Sequence, residues 1–133
     1  MNTIRLLTLG ILVSLSACVF GGNGALLPVA TRPGGATAVL ETSSGKLTGE
    51  LIAVQDDGVV VAGKTIVFAP FSALKSFKLD EMSGDYSLSR LEFPNAEKLA
   101  RLRSASHFPQ GLTPAFRKAL LERAAQPDIV VIR

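Results

Sequence analysis

Between Ala36 and Leu79 the chain is interrupted by turn chemistry at short intervals, which rules out a helical fold for this half. Ser43-Ser44-Gly45-Lys46, Asp56-Asp57-Gly58, Gly63-Lys64 and Pro70 punctuate it, and the runs between them are rich in Val, Ile, Thr and Phe. The expected strands are Thr37 to Thr42, Leu47 to Gln55, Val59 to Ala62, Thr65 to Ala69 and Leu74 to Leu79. Gly49 falls inside the second of these, where a missing side chain marks a bulge or a sharp bend. Asp57-Gly58 predicts a tight type I′ hairpin, because glycine tolerates positive φ. A short turn through Phe71, Ser72 and Ala73 precedes the last strand.

The second half reads differently. Asp80 to Arg90 is polar and turn-like around Ser83-Gly84-Asp85, and Tyr86, Leu88, Leu91 and Phe93 suggest a further strand. Asn95 is an N-cap for a helix to about Ser104, with Leu99 and Leu102 on its apolar side. Thr113 caps a second helix that has Pro114 at its first position. In that helix Phe116, Ala119, Leu120 and Ala124 repeat at helical spacing, whereas Arg117, Lys118, Glu122 and Arg123 face away. Pro127 ends it, and Ile129 to Ile132 forms a terminal strand on the sheet edge. Helices this short need a surface to pack on.

Residues 1 to 17 have the layout of a secretory signal, with one charge at Arg5, an apolar stretch too short to span comfortably, and then small residues. The segment ends in Leu15-Ser16-Ala17-Cys18, and this string resembles the lipobox of bacterial lipoprotein precursors. The resemblance implies cleavage between Ala17 and Cys18 and a diacylglyceryl thioether on the Cys18 sulfur. A thiolate is the nucleophile suited to that bond. Several acyl chains hold firmly where one is marginal, since each buried CH₂ contributes about 0.8 kcal/mol. By the same family's sorting rule, Val19 rather than an aspartate after the lipid site implies the outer membrane, facing the periplasm, with the inner membrane as the alternative.

Removing the signal leaves 116 of 133 residues, room for one small domain. The only cysteine is Cys18, so once it carries lipid the remainder has no disulfide and must hold by its core alone. The formal charge of +3 includes Arg5, so the processed chain is +2 and argues for no polyanionic partner such as nucleic acid. Residues 18 to 35, rich in Gly, Pro and Ala, read as a tether that keeps the domain roughly 20 to 25 Å from the bilayer. Residues 36 to 93 are then a β unit, and 94 to 133 a two-helix extension with a terminal strand.

Five short antiparallel strands with a bent second strand and a one-turn break before the fifth resemble the small barrels of the SH3-like and Sm-like type. Gly45 to Leu51, Asp57 to Val61 and Phe71 to Phe77 carry that likeness, which covers about a third of the chain. It implies an α+β fold in which a closed five-stranded barrel, free of exposed edges, supports two helices. A barrel of that size is filled by its own side chains.

Gly58-Val59-Val60-Val61-Ala62-Gly63-Lys64-Thr65 satisfies the P-loop pattern letter for letter. That chemistry needs a flexible loop whose amides face phosphate and a helix immediately after it. Three valines and the following Ile66-Val67-Phe68 favour strands instead, so Lys64 is assigned to a hairpin turn and no nucleotide is expected. No cofactor or metal is expected either. Asp80, Glu81 and Asp85 lack the spacing of a calcium loop, and adjacent Asp56 and Asp57 point apart, unlike a pair of catalytic carboxylates.

His107 is the only histidine. With Ser104, Ser106 or a carboxylate it is the one candidate for hydrolytic chemistry, though no G-x-S-x-G elbow presents a nucleophile. Two readings follow: a non-catalytic envelope lipoprotein that binds a protein partner or stiffens a complex, or a small envelope hydrolase built on His107.

Overall fold

The structure is a computed structural model, and it describes residues 34–133. Cys18, the Ala17-Cys18 bond and all but the last two residues of the expected tether lie outside that range.

The architecture is mixed α/β. Six strands run in the order β1 (Thr37–Thr42), β2 (Gly45–Val54), β3 (Gly58–Ala62), β4 (Ile66–Pro70), β5 (Leu74–Leu79) and β6 (Val130–Val131), with α1 (Ala96–Ser104) and α2 (Pro114–Arg123) between the last two. They form one sheet in the order β5-β1-β2-β3-β4-β6. Every neighbouring pair is antiparallel except β4 and β6, which run parallel. The sheet is not closed: β5 and β6 are its two edges, whereas a five-stranded barrel would pair β5 back toward β4. The expected terminal strand takes the position beside β4 that closure would need.

The turns form where expected, with one change of mechanism. At the β1–β2 turn Gly45 has φ +127°, and the Thr42 hydroxyl accepts from the Ser44 amide at 3.1 Å. Gly58 is not left-handed, because it is already a buried residue of β3. A Cβ there would fall 2.5 Å from the Ala69 carbonyl oxygen and 2.7 Å from the Phe68 ring, so close approach and not positive φ demands glycine. The turn is closed by Gln55 N–H donating to Gly58 O at 2.8 Å. Asp57 O accepts from Phe71 N–H at 2.9 Å, which ties the single 3₁₀ turn Phe71–Ala73 to it.

β2 is buried on both faces from Leu51 to Val54. Its pairing with β3 slips between Leu51 and Ala53, so Ile52 and Ala53 both turn to the same side while Leu51 and Val54 face the other. The irregularity therefore lies just beyond Gly49. Gly49 itself is required by contact, since a Cβ would sit 2.4 Å from the Ala62 carbonyl oxygen.

Two apolar clusters result. The inner one draws Leu40, Leu51, Val59, Val61, Val67, Phe71 and Phe77 from five strands and the 3₁₀ turn, and receives Leu102 from α1. The outer one has four buried residues, Ile52, Ala53, Val60 and Ile66, and is covered by Phe108, Leu112, Leu120, Leu121 and Ile129.

No strand forms over Tyr86 to Phe93. Leu88 makes a single bridge to Phe77, and a tight turn follows in which the Glu92 carboxylate accepts from Ser89 N–H at 2.8 Å while Glu92 N–H donates to Ser89 O at 3.0 Å. That local pairing competes with the ladder. It leaves Leu91 at φ +58° and both Leu91 and Phe93 exposed.

Both helices start at the expected caps. Asn95 Oδ1 accepts from Lys98 N–H at 2.9 Å, and Thr113 Oγ1 from Phe116 N–H at 3.3 Å. α1 packs tightly through Leu102. α2 buries no residue, and of its expected apolar face only Leu120 is drawn in, together with Leu121. No helix among the described residues is long and apolar enough to cross a membrane.

Candidate functional site

The loose seating of α2 opens a groove of 530 Å³ between its inward face and the outer face of the sheet. Ile52, Ala62 and Ile66 form its floor, and Phe116, Ala119 and Leu120 its helical wall. At the entry to α2, Phe108 stacks on Phe116 with centroids 4.8 Å apart and lies 4.5 Å from the His107 ring. The segment leading there is fixed by His107 N–H donating to Leu51 O and Phe108 N–H to Ile52 O, both at 2.9 Å. The opposite end is fixed by Gln126. Its side-chain oxygen accepts from Ile66 N–H and its nitrogen donates to Ile66 O, each at 2.9 Å, so one amide side chain pairs with the backbone as a neighbouring strand would.

His107 lies in this groove, its Nδ1 2.6 Å from Glu50 Oε1. The same oxygen accepts from Gly35 N–H at 2.6 Å, so Gly35 belongs to the folded unit. A Cβ at Gly35 would lie 2.0 Å from Leu51 O, which explains a glycine at this point. With Glu50 ionised, the bond places the imidazole proton on Nδ1 and leaves Nε2 to accept. Ser104 and Ser106, the serines nearest in sequence, are turned away. Their hydroxyls donate to Arg101 O at 2.6 Å and Arg103 O at 2.7 Å on the last turn of α1.

Lys64 sits on the β3–β4 turn and lines the groove, as does Arg123 from the last turn of α2. The string Gly58 to Thr65 is thus a hairpin, with no helix following Lys64. Asp56 pairs with Arg103 at 2.5 Å, and the Asp57 backbone carbonyl accepts from Phe71 N–H. Asp85 stands 3.8 Å from Arg101, and no group of three metal-binding side chains occurs among the described residues.

A larger concavity of 690 Å³ lies along the other side of α2, lined by Arg117, Lys118, Glu122 and Asp128. Its charges are paired with one another, Arg117 with Asp128 and Lys118 with Glu122, so it offers a ligand less than the groove does. The Asp128 carboxyl is held below the usual range first by the Arg117 guanidinium and then by the Ile129 amide.

Glu50, Gln126 and the Phe108–Phe116 stack were not evident as site residues from sequence. The one local hint is an acidic residue, Glu50, directly before the apolar run Leu51 to Val54. No family profile, curated protein or solved structure matches this chain.

Proposed function

We propose that this protein is a membrane-anchored envelope lipoprotein that acts as a non-catalytic docking module for another protein, with Cys18 carrying the lipid. The anchor rests on the lipobox string. The docking role rests on one observation, the β6 edge. Val130 and Val131 end the sheet at 50% and 57% exposure, and on the side away from β4 no strand pairs with them among the described residues. An edge of this kind accepts an added strand through backbone hydrogen bonds. The likeness to SH3-like barrels stays part of the proposal. It is supported by the meander order and by Ser43 Oγ donating to Arg133 O at 3.4 Å, which brings the β1–β2 turn to the end of the β6 segment.

The test places a photo-crosslinking side chain at Val131 and, as a control, at the exposed Lys78 of β5 in the lipidated protein. A discrete protein adduct specific to position 131 is expected. Equal adducts at both positions, or none, sink the docking role. A Cys18→Ser variant should leave the membrane fraction, and its continued sedimentation with membranes removes the anchor.

The Glu50–His107 pair favours a second reading, in which His107 Nε2 is the general base of a hydrolase acting in the groove. It predicts esterase activity that His107→Asn abolishes, with binding of the ester retained.

A further inference from the structure

We propose that the groove between α2 and the β3–β4 turn is a binding site for one free acyl chain ending in a carboxylate. The inference stands on the groove alone and does not depend on the lipid anchor or on the β6 edge.

Charge decides which end group fits. Glu50 brings one carboxylate to the groove, already held by His107 Nδ1 and by the Gly35 N–H. Lys64 and Arg123 also line it and take part in no ion pair among the described residues. The uncompensated charge in the groove is therefore positive, beside a floor and a wall that are apolar. A ligand with a long hydrocarbon body and one negative end satisfies both.

Backbone accounting decides against a peptide. The strand groups bordering the groove that face it are largely used: Leu51 O and Ile52 O by His107 and Phe108, Gly63 N–H by Thr65 O, and both groups of Ile66 by Gln126. An extended peptide laid here would find no strand edge, and its own N–H and C=O groups would be desolvated without partners. An acyl chain carries no such groups and needs only width. The width is supplied by Ala62, Gly63, Ala119 and Ala124, where larger residues would close the space.

The test is photolabelling of the purified full chain with a twelve-carbon carboxylate carrying a diazirine. Label is expected within Phe108 to Ala124 and is competed by dodecanoate. The double variant Lys64→Gln, Arg123→Gln should cut carboxylate labelling about five-fold while leaving an uncharged alcohol probe of the same length unaffected. Ala119→Trp, at an exposed position, should abolish labelling by both probes. Circular dichroism confirms that each variant is folded. The proposal is overturned if an ammonium probe labels the groove as well as the carboxylate, if Ala119→Trp changes nothing, if an apolar pentapeptide competes equally, or if a phospholipid-borne diazirine labels it more strongly than the free acid.

Discussion

The two faces of the sheet are made from alternate residues of the same strands, yet they are finished in different ways. On the inner face, Leu40, Leu51, Val59, Val61 and Leu102 are all at 0% exposure. There α1 is stitched down by Ala36 N–H donating to Ala105 O at 2.9 Å and by Arg103 Nε donating to Val54 O at 3.2 Å. On the outer face α2 buries no residue and is held by a ring stack at one end and the Gln126 amide at the other. Both helices have proper caps, so capping decides that a helix forms and says nothing about how deeply it seats. The loosely seated helix is the one that leaves room for a ligand.

The sharpest way to break this contrast is to delete equal volumes under the two helices. Leu102→Ala should cost about 2–5 kcal/mol, because a fully buried leucine leaves a cavity. Leu120→Ala, half-buried, should cost about 1 kcal/mol or less. Urea denaturation measures both, and equal losses would show that α2 is as much a part of the core as α1.

Gly49→Ala comes next. Its Cβ would press on the Ala62 carbonyl and the Gly63 amide, both backbone atoms with little freedom to move. A loss of about 1–3 kcal/mol is expected, together with disorder of the β3–β4 turn that forms the mouth of the groove. Unchanged stability would contradict the close approach of β2 and β3 at Gly49.

Gln126→Ala should act on one face only. It leaves the Ile66 N–H and C=O without partners, at a cost of about 1–2 kcal/mol. Hydrogen exchange should accelerate at Ile66 and across α2, while the α1 amides keep their protection. Uniform acceleration would contradict the separate anchoring of the two helices.

The smallest effect is in acid. Lys98 first, and then the Ser89 amide, hold Glu92 below its ordinary 4.5, and Arg117 holds Asp128 below its ordinary 3.8. For a carboxyl lowered by folding, the stabilisation is complete above the unfolded value and is lost as pH falls through the folded one. Stability should therefore decline from about pH 4.5 downward. Glu92→Gln should flatten the part of that decline belonging to the entry of α1, and Asp128→Asn the part belonging to α2, with NMR titration assigning each. A decline that begins near neutrality would contradict the assignment to these two carboxyls.

Local features were legible in the residues, because they are decided within a few positions. The cap at Asn95, the Thr113-Pro114 start and the hairpin through Gly63-Lys64 each depend on one side chain and the backbone beside it. The same locality misled at Gly58, where a glycine that suits positive φ is required instead by a strand arriving from elsewhere. At Tyr86 to Phe93 the apolar pattern allowed a strand, and the Ser89–Glu92 turn prevented it.

The order of residues settled the strands, their turns, the two helices and a core without disulfides, since each follows from side-chain period and backbone chemistry over short distances. Folding in three dimensions decided that the sheet stays open and that β6 takes its edge. It also created the groove, whose defining contacts join Glu50 to His107 across 57 positions and Ile66 to Gln126 across 60. Neither partner carries a local mark of the other, because a hydrogen bond formed at that separation exists only after the intervening chain has packed.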